Sequence, residues 1–158
     1  MLIRILAALL FLAFLWSLIR FAVGLRFEKR AREKALEREE SLGRRLVAEV
    51  PLGAVMMLVL DDGEALLWGE ERQPFSELLG ARMLLNGRVL AGVARAGASL
   101  PEPETAEEDE ERERWDVRLY RRDGTIRDVR CGTVREGVSR EIATRVFEAV
   151  RAAIASSS

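Results

Sequence analysis

Arg118, Arg121, Arg122, Arg127, Arg130 and Arg135 crowd one short stretch of the chain, and a fixed guanidinium is a permanent cation with five donors. Such a group binds anions; it does not shuttle protons near neutral pH. Two readings of the cluster stand side by side. It is a patch for anionic headgroups or an acidic partner protein, or it is the ordinary wet face of a sheet in a chain where 23 of 25 basic residues are arginine and only Lys29 and Lys34 are lysine. Only Tyr120 offers a stacking ring there, so nucleic acid is not the expected partner.

Other chemistries are closed off by composition. The sequence has no histidine, which excludes imidazole acid–base catalysis and Ser-His-Asp arrangements. The single cysteine, Cys131, excludes an intrachain disulfide and a thiolate zinc site, and reads as a small buried strand residue. Gly80, Gly87, Gly92 and Gly97 are irregularly spaced, and none opens a phosphate-cradling loop with Lys-Ser or Lys-Thr behind it. Glu107, Glu108, Asp109, Glu110 and Glu111 carry enough oxygens for a divalent cation but lack a turn glycine, so a solvated run is the expectation. No cofactor and no metal are expected. An enzyme of unrecognised type would have only Asp, Glu, Arg, Ser, Thr and Tyr to work with, and none of these forms a spaced motif.

The elements that must carry these residues begin at the amino terminus. Ile5 to Ile19 is an uncharged apolar run with one hydroxyl, bounded by Arg4 and Arg20, and Phe21, Val23 and Leu25 extend it. This reads as a transmembrane anchor over residues 1–25, because the stems of the flanking arginines stretch a short core towards the roughly 20 residues a bilayer requires. Arg20, Arg26, Lys29, Arg30, Arg32 and Lys34 lie on the carboxy-terminal flank against Arg4 on the other, which places the following domain in the cytoplasm of a cell (inner) membrane. The rival is a cleaved signal peptide that leaves an extracytoplasmic or secreted domain. Against it stand the absence of a clear small-x-small site and the apolar residues after Arg20.

Residues 26–50 alternate in charge and favour helix, with Glu28 and Arg32 in the stabilising i, i+4 order. Leu42, Leu46 and Val50 recur every four residues, so a charged helical stalk is expected up to Pro51. Residues 51–155 then read as one α+β domain, a small antiparallel sheet with one carboxy-terminal amphipathic helix. Three hairpins are expected: Val55 to Leu60 with Ala65 to Trp68 around Asp61-Asp62-Gly63; Ala81 to Leu85 with Arg88 to Ala94 around Asn86-Gly87; and Trp115 to Tyr120 with Thr125 to Cys131 around Asp123-Gly124. Trp68 and Trp115 sit in apolar strand patterns and read as core. Ile126 and Val129 fall on opposite faces of the last strand, which suggests a bulge or an edge.

Residues 101–114 hold eight acidic residues and two prolines and read as a solvated, mobile loop that screens the neighbouring arginines. Ser139 reads as an N-cap, with Ile142, Val146, Phe147, Val150 and Ile154 on one helical face and a frayed tail from Ala155. The net charge of −1 favours no partner class in bulk.

Two segments, Arg72-Gln73-Pro74-Phe75-Ser76-Glu77-Leu78-Leu79-Gly80-Ala81-Arg82 and Val117-Arg118-Leu119-Tyr120-Arg121-Arg122-Asp123-Gly124-Thr125, together with the closing helix, resemble the bacterial pleckstrin-homology-like domains of small single-pass membrane proteins. The resemblance covers roughly residues 54–155 and is one of pattern. It implies a half-open seven-strand barrel capped by the helix, a binding or scaffolding role, and no catalytic residues to carry over. Six strands are placed by the reading above, and the seventh falls in Arg72 to Ser76 or is absent. The acidic insertion before Trp115 departs from the compact family pattern. The function expected on all these grounds is that of a non-enzymatic, membrane-anchored interaction module, tethered to the bilayer through residues 1–25.

Overall fold

Gly43, at φ 75°, divides the chain physically: helix precedes it and strand follows. The computed structural model describes residues 14–18, 20, 32–52, 55–102, 113–132 and 136–156, in two units, Met1–Leu42 and Gly43–Ser158. In the first unit, residues 14–18 and 32–41 are helical, and Phe14, Leu15, Trp16 and Leu18 are exposed. Among the described residues, no helix is long and apolar enough to cross a membrane. Apart from 14–18 and Arg20, the segment read as an anchor lies outside the described residues, and so do Arg4, Arg26, Lys29 and Arg30.

The stalk reading is corrected at its far end. The helix stops at residue 41, where Leu42 N donates to Arg38 O and Gly43 takes the left-handed conformation that closes helices. Strand β1 (Arg45–Leu52) follows, so the folded unit begins before Pro51. The four-residue spacing of Leu42, Leu46 and Val50 was misleading. Leu42 is exposed, while Ala48 and Val50 are buried with the period of two that a strand imposes.

Among the described residues, eight strands make two antiparallel sheets. The first is a meander of β1, β2 (Val55–Asp61), β3 (Ala65–Trp68) and β4 (Glu71–Pro74) in that spatial order. A 3-10 turn, Phe75–Glu77, leads into the second sheet, formed by β5 (Leu78–Leu85), β6 (Arg88–Ala94), β7 (Trp115–Arg121) and β8 (Ile126–Gly132) in the order β6-β5-β7-β8.

All three expected hairpins form, each for a local reason. Asp62 Oδ1 accepts from Glu64 N at 2.9 Å and Ala65 N at 2.6 Å at the β2–β3 turn. Asn86 and Gly87 supply φ 48° and 77°, the two positive values of a type I′ turn. Asp123 Oδ1 accepts from the amide and the hydroxyl of Thr125 at the β7–β8 turn. β8 ends the order of its sheet, with Val129 buried and Ile126 exposed, and its register with β7 shifts between Trp115 and Asp116.

The carboxy-terminal helix runs Glu136–Ser156 and packs on β1, β5, β7 and β8, so the core lies between it and strands of both sheets. Ile142, Val146, Phe147, Val150 and Ile154 form its buried face, as their spacing predicts. Ser139 is not its N-cap: the helix begins three residues earlier, and Ser139 is buried within it. Gly137, a weak helix former, falls in that first turn. Nor does the helix fray at Ala155, since it continues through Ser156. Trp68 and Trp115 join the core. Residues 103–112, the centre of the acidic loop, lie outside the described residues.

Candidate functional site

The expected arginine patch is partitioned by strand geometry. Arg118 faces Asp128 across the β7–β8 ladder and grips it with both arms of its fork, Nε to Oδ1 at 2.8 Å and Nη2 to Oδ2 at 2.9 Å. Arg130 lies on the same side, opposite Asp116. Arg127 pairs with Leu119 in the register and therefore takes the other side. Arg135 lies outside the described residues.

Arg121 reaches back to the segment joining the sheets. Its Nη2 donates to Glu77 Oε2 at 2.6 Å and its Nη1 to Thr125 Oγ1 at 3.1 Å, with Asp123 Oδ2 at 3.2 Å. The Glu77 bond raises the guanidinium pKa further, and the Thr125 bonds hold the Asp123 carboxyl below its ordinary value. These two acids are therefore already engaged by Arg121.

Arg122 is different. Its amide donates to Glu77 O at 2.8 Å, which fixes the turn, and its exposed side chain lines an open cleft of about 500 Å³. Arg72 on β4 and Arg95 just past β6 line the same cleft, with Ser76 of the 3-10 turn, Glu64 of the β2–β3 turn, and Ser156 at the end of the helix. Three arginines that are far apart in sequence, on β4, just past β6 and in the β7–β8 turn, thus line one cleft. Arg95 is held rigidly, with Nε donating to Leu78 O at 2.7 Å and Nη2 to Phe75 O at 2.8 Å. Arg72 is half-exposed and reaches Asp62 Oδ2 at 3.2 Å.

Burial disfavours the Asp62 anion, yet the amides of Glu64 and Ala65 and the Arg72 guanidinium outweigh it and hold the carboxyl low. Asp62 thus faces its own turn amides as well as Arg72. Sequence reasoning missed Arg72 and Arg95 as site residues. Each is a lone arginine beside a strand end, and only tertiary structure brings it to Arg122.

Cys131 is buried in β8 and donates to Val129 O at 3.4 Å, and burial pushes its thiol up to about 12. That is the inert strand residue expected from its context. Asp116 is also buried. Burial raises its carboxyl pKa, against the pull of Arg114, whose Nε donates to Oδ2 at 2.7 Å, while Oδ1 has no hydrogen-bond partner. Among the described residues no group of His, Cys, Asp or Glu could hold a metal ion, and Glu107 to Glu111 lie outside those residues.

No family model, curated protein or solved structure matches the chain. Its chemistry must be read from the site alone. Guanidinium groups beside serine hydroxyls are suited to holding an anion, and the chain has no imidazole.

Proposed function

We propose that the chain is a non-enzymatic interaction module anchored to a cell (inner) membrane by residues 1–25, with its α+β domain in the cytoplasm and its partner an anionic ligand, protein or lipid surface. The observation that carries the binding role is the convergence of Arg72, Arg95 and Arg122 on one open cleft. Guanidinium groups recognise charge and shape. The anchor is supported by the apolar run Ile5 to Ile19 and its arginine flanks. The resemblance to pleckstrin-homology-like domains fits a binding role, although the eight strands among the described residues exceed the seven of that pattern.

The test is fractionation of native cells with alkaline carbonate, followed by intact mass measurement. The full-length chain should stay in the membrane pellet with residues 1–25 present, and a variant lacking them should move to the supernatant. A mature mass lacking the first 20 to 25 residues would instead establish signal cleavage and an extracytoplasmic domain. Carbonate release of the intact chain would remove the anchor from the account.

A further inference from the structure

We infer that Asn86 is a site of spontaneous covalent modification, hydrolytic deamidation through attack by the Gly87 amide, and that hydrogen bonds with Arg114 hold the reaction in check in the folded domain. Neither the cleft nor the anchor enters into this. Asn86 is the one asparagine of the sequence, and glycine follows it. Without a Cβ on Gly87, nothing shields the attacking nitrogen.

The last pair in the ladder between β5 and β7 is Leu85 with Trp115, so Asn86 and Arg114 form the next rung. Two residues on a hydrogen-bonded rung exchange both of their N–H···O=C bonds. Asn86 N donates to Arg114 O at 2.9 Å, as such a rung requires. The return bond goes to the side chain instead: Arg114 N donates to Asn86 Oδ1 at 2.6 Å. The backbone of Asn86 has already turned to φ 48° for the hairpin, and its side-chain oxygen takes the place of the main-chain carbonyl. Glycine would satisfy the same angle but has no oxygen to offer Arg114.

In the reaction Gly87 N forms a bond to Asn86 Cγ, the Cγ–Nδ2 bond breaks, and ammonia leaves with the proton that Gly87 N gives up. Water then opens the five-membered imide at either carbonyl, leaving aspartate or, with the main chain rerouted through Cβ and Cγ, isoaspartate. Ring closure requires Gly87 N to come close to eclipsing Cβ about the Cα–C bond of Asn86. A type I′ turn holds that bond at ψ of about +30°, which leaves the two on nearly opposite sides. The backbone of the turn and the side chain tied to Arg114 must therefore both leave their places before the ring forms. Arg114 is exposed and Asn86 and Gly87 are half-buried, so this opening is local and water reaches the imide. Aspartate keeps an oxygen for Arg114 N. Isoaspartate lengthens the main chain and no longer fits the two-residue turn that closes Leu85 on Arg88.

The experiment holds the full-length chain in an uncharged detergent at mildly alkaline pH, with and without guanidinium chloride, and follows tryptic peptides by mass. Asn86 falls in residues 83–88, and Gln73, the other side-chain amide of the sequence, falls in residues 73–82, so the one-dalton gain is assigned directly. Asp62-Gly63 and Asp123-Gly124 isomerise without a change of mass and do not enter the count. In denaturant residues 83–88 should gain mass about tenfold or more faster than in the folded chain. Hydrogen exchange of the Arg114 amide, followed by NMR, reports the opening of the same bond, and folding should slow deamidation at least as much as it slows that exchange. Asn86→Asp, with an acceptor but no amide to lose, should show no mass gain and keep the protection of Arg114. Asn86→Gly, which tolerates the turn but lacks the oxygen, should speed exchange of the Arg114 amide by about fivefold or more.

No mass gain in residues 83–88 in denaturant would overturn the inference, and so would equal rates in the folded and denatured chain. A slowing smaller than the protection of the Arg114 amide would mean attack without release of Arg114, and Arg114 exchange at the wild-type rate in Asn86→Gly would mean that the side-chain bond holds nothing; either result would also overturn it.

Discussion

Arg95→Ala removes a guanidinium that ties together the segment joining the two sheets. Nε and Nη2 donate to the carbonyls of Leu78 and Phe75 at 2.7 and 2.8 Å, and both of those residues are buried. A hydrogen bond to a charged group contributes about 1.5–3 kcal/mol; Phe75 O also accepts from Leu78 N and keeps that bond in the alanine variant, so only the Leu78 carbonyl is at risk of losing its partner. The two bonds share one side chain at a cleft that water enters, and one of the two acceptors keeps another donor, so the loss falls below the sum of the two bonds. The expected loss is about 2–4 kcal/mol.

Lysine can reach one carbonyl but cannot fork to both, so Arg95→Lys should cost about half as much. Urea unfolding of the full-length chain, followed by circular dichroism, measures both variants, with slopes equal to wild type if the denatured state is unchanged. At about 3–6 °C per kcal/mol for a domain of this size, the alanine variant should also melt on the order of 10 °C lower. An alanine variant within about 0.5 kcal/mol of wild type would refute the argument, since it would mean that water and the Leu78 amide satisfy the two carbonyls without Arg95.

Four further outcomes follow from the same structure. A Cβ at Gly80 would overlap Val93 O and come within 3.0 Å of Ala94 Cα and a Leu100 methyl, so Gly80→Ala should destabilise by about 1–3 kcal/mol in the same urea assay. Because burial raises the folded pKa of Asp116 above its unfolded value, the folded state binds the extra proton, and this residue's contribution to stability falls as pH rises from the unfolded value of 3.8 through the folded one. Asp116→Asn should therefore flatten that part of the stability–pH curve, and an unchanged curve would remove Asp116 as its source. Cys131 should react with a thiol reagent only at the rate of domain unfolding, so fast modification of the native chain would contradict its burial. Deleting Glu102 to Glu111 should raise binding to anionic vesicles at low salt if the acidic run screens the basic surface; unchanged binding would show that it does not.

Local signals carried much of the fold. Asn86-Gly87 and Asp123-Gly124 specify their turns through backbone angles and side-chain bonds that span only a few residues, and the helix face from Ile142 to Ile154 follows from periodicity. β1 was hidden because Leu42, Leu46 and Val50 mimic a helical stripe, while the ladder that makes the segment a strand comes from its pairing with β2. β4 was uncertain for the opposite reason: Glu71, Arg72, Gln73 and Pro74 contain no aliphatic or aromatic side chain to signal a strand, and pairing with β3 alone defines it.

The site was less legible than the fold. Arg118, Arg121 and Arg122 were noticed as a run, but the acids that engage the first two could not be assigned, since Glu77 lies 44 residues from Arg121. Arg72 and Arg95 come to line one cleft with Arg122 only through the tertiary fold.

The most direct measurement of the central claim, an interaction domain held at the cytoplasmic face of a membrane, is the labelling of Glu70→Cys with a membrane-impermeant maleimide in intact and in permeabilised cells. Glu70 is exposed at the β3–β4 turn, and the buried Cys131 serves as an internal control that should stay unlabelled in the folded domain. The account predicts labelling only after permeabilisation. Labelling of intact cells would contradict it and place the domain on the outer side.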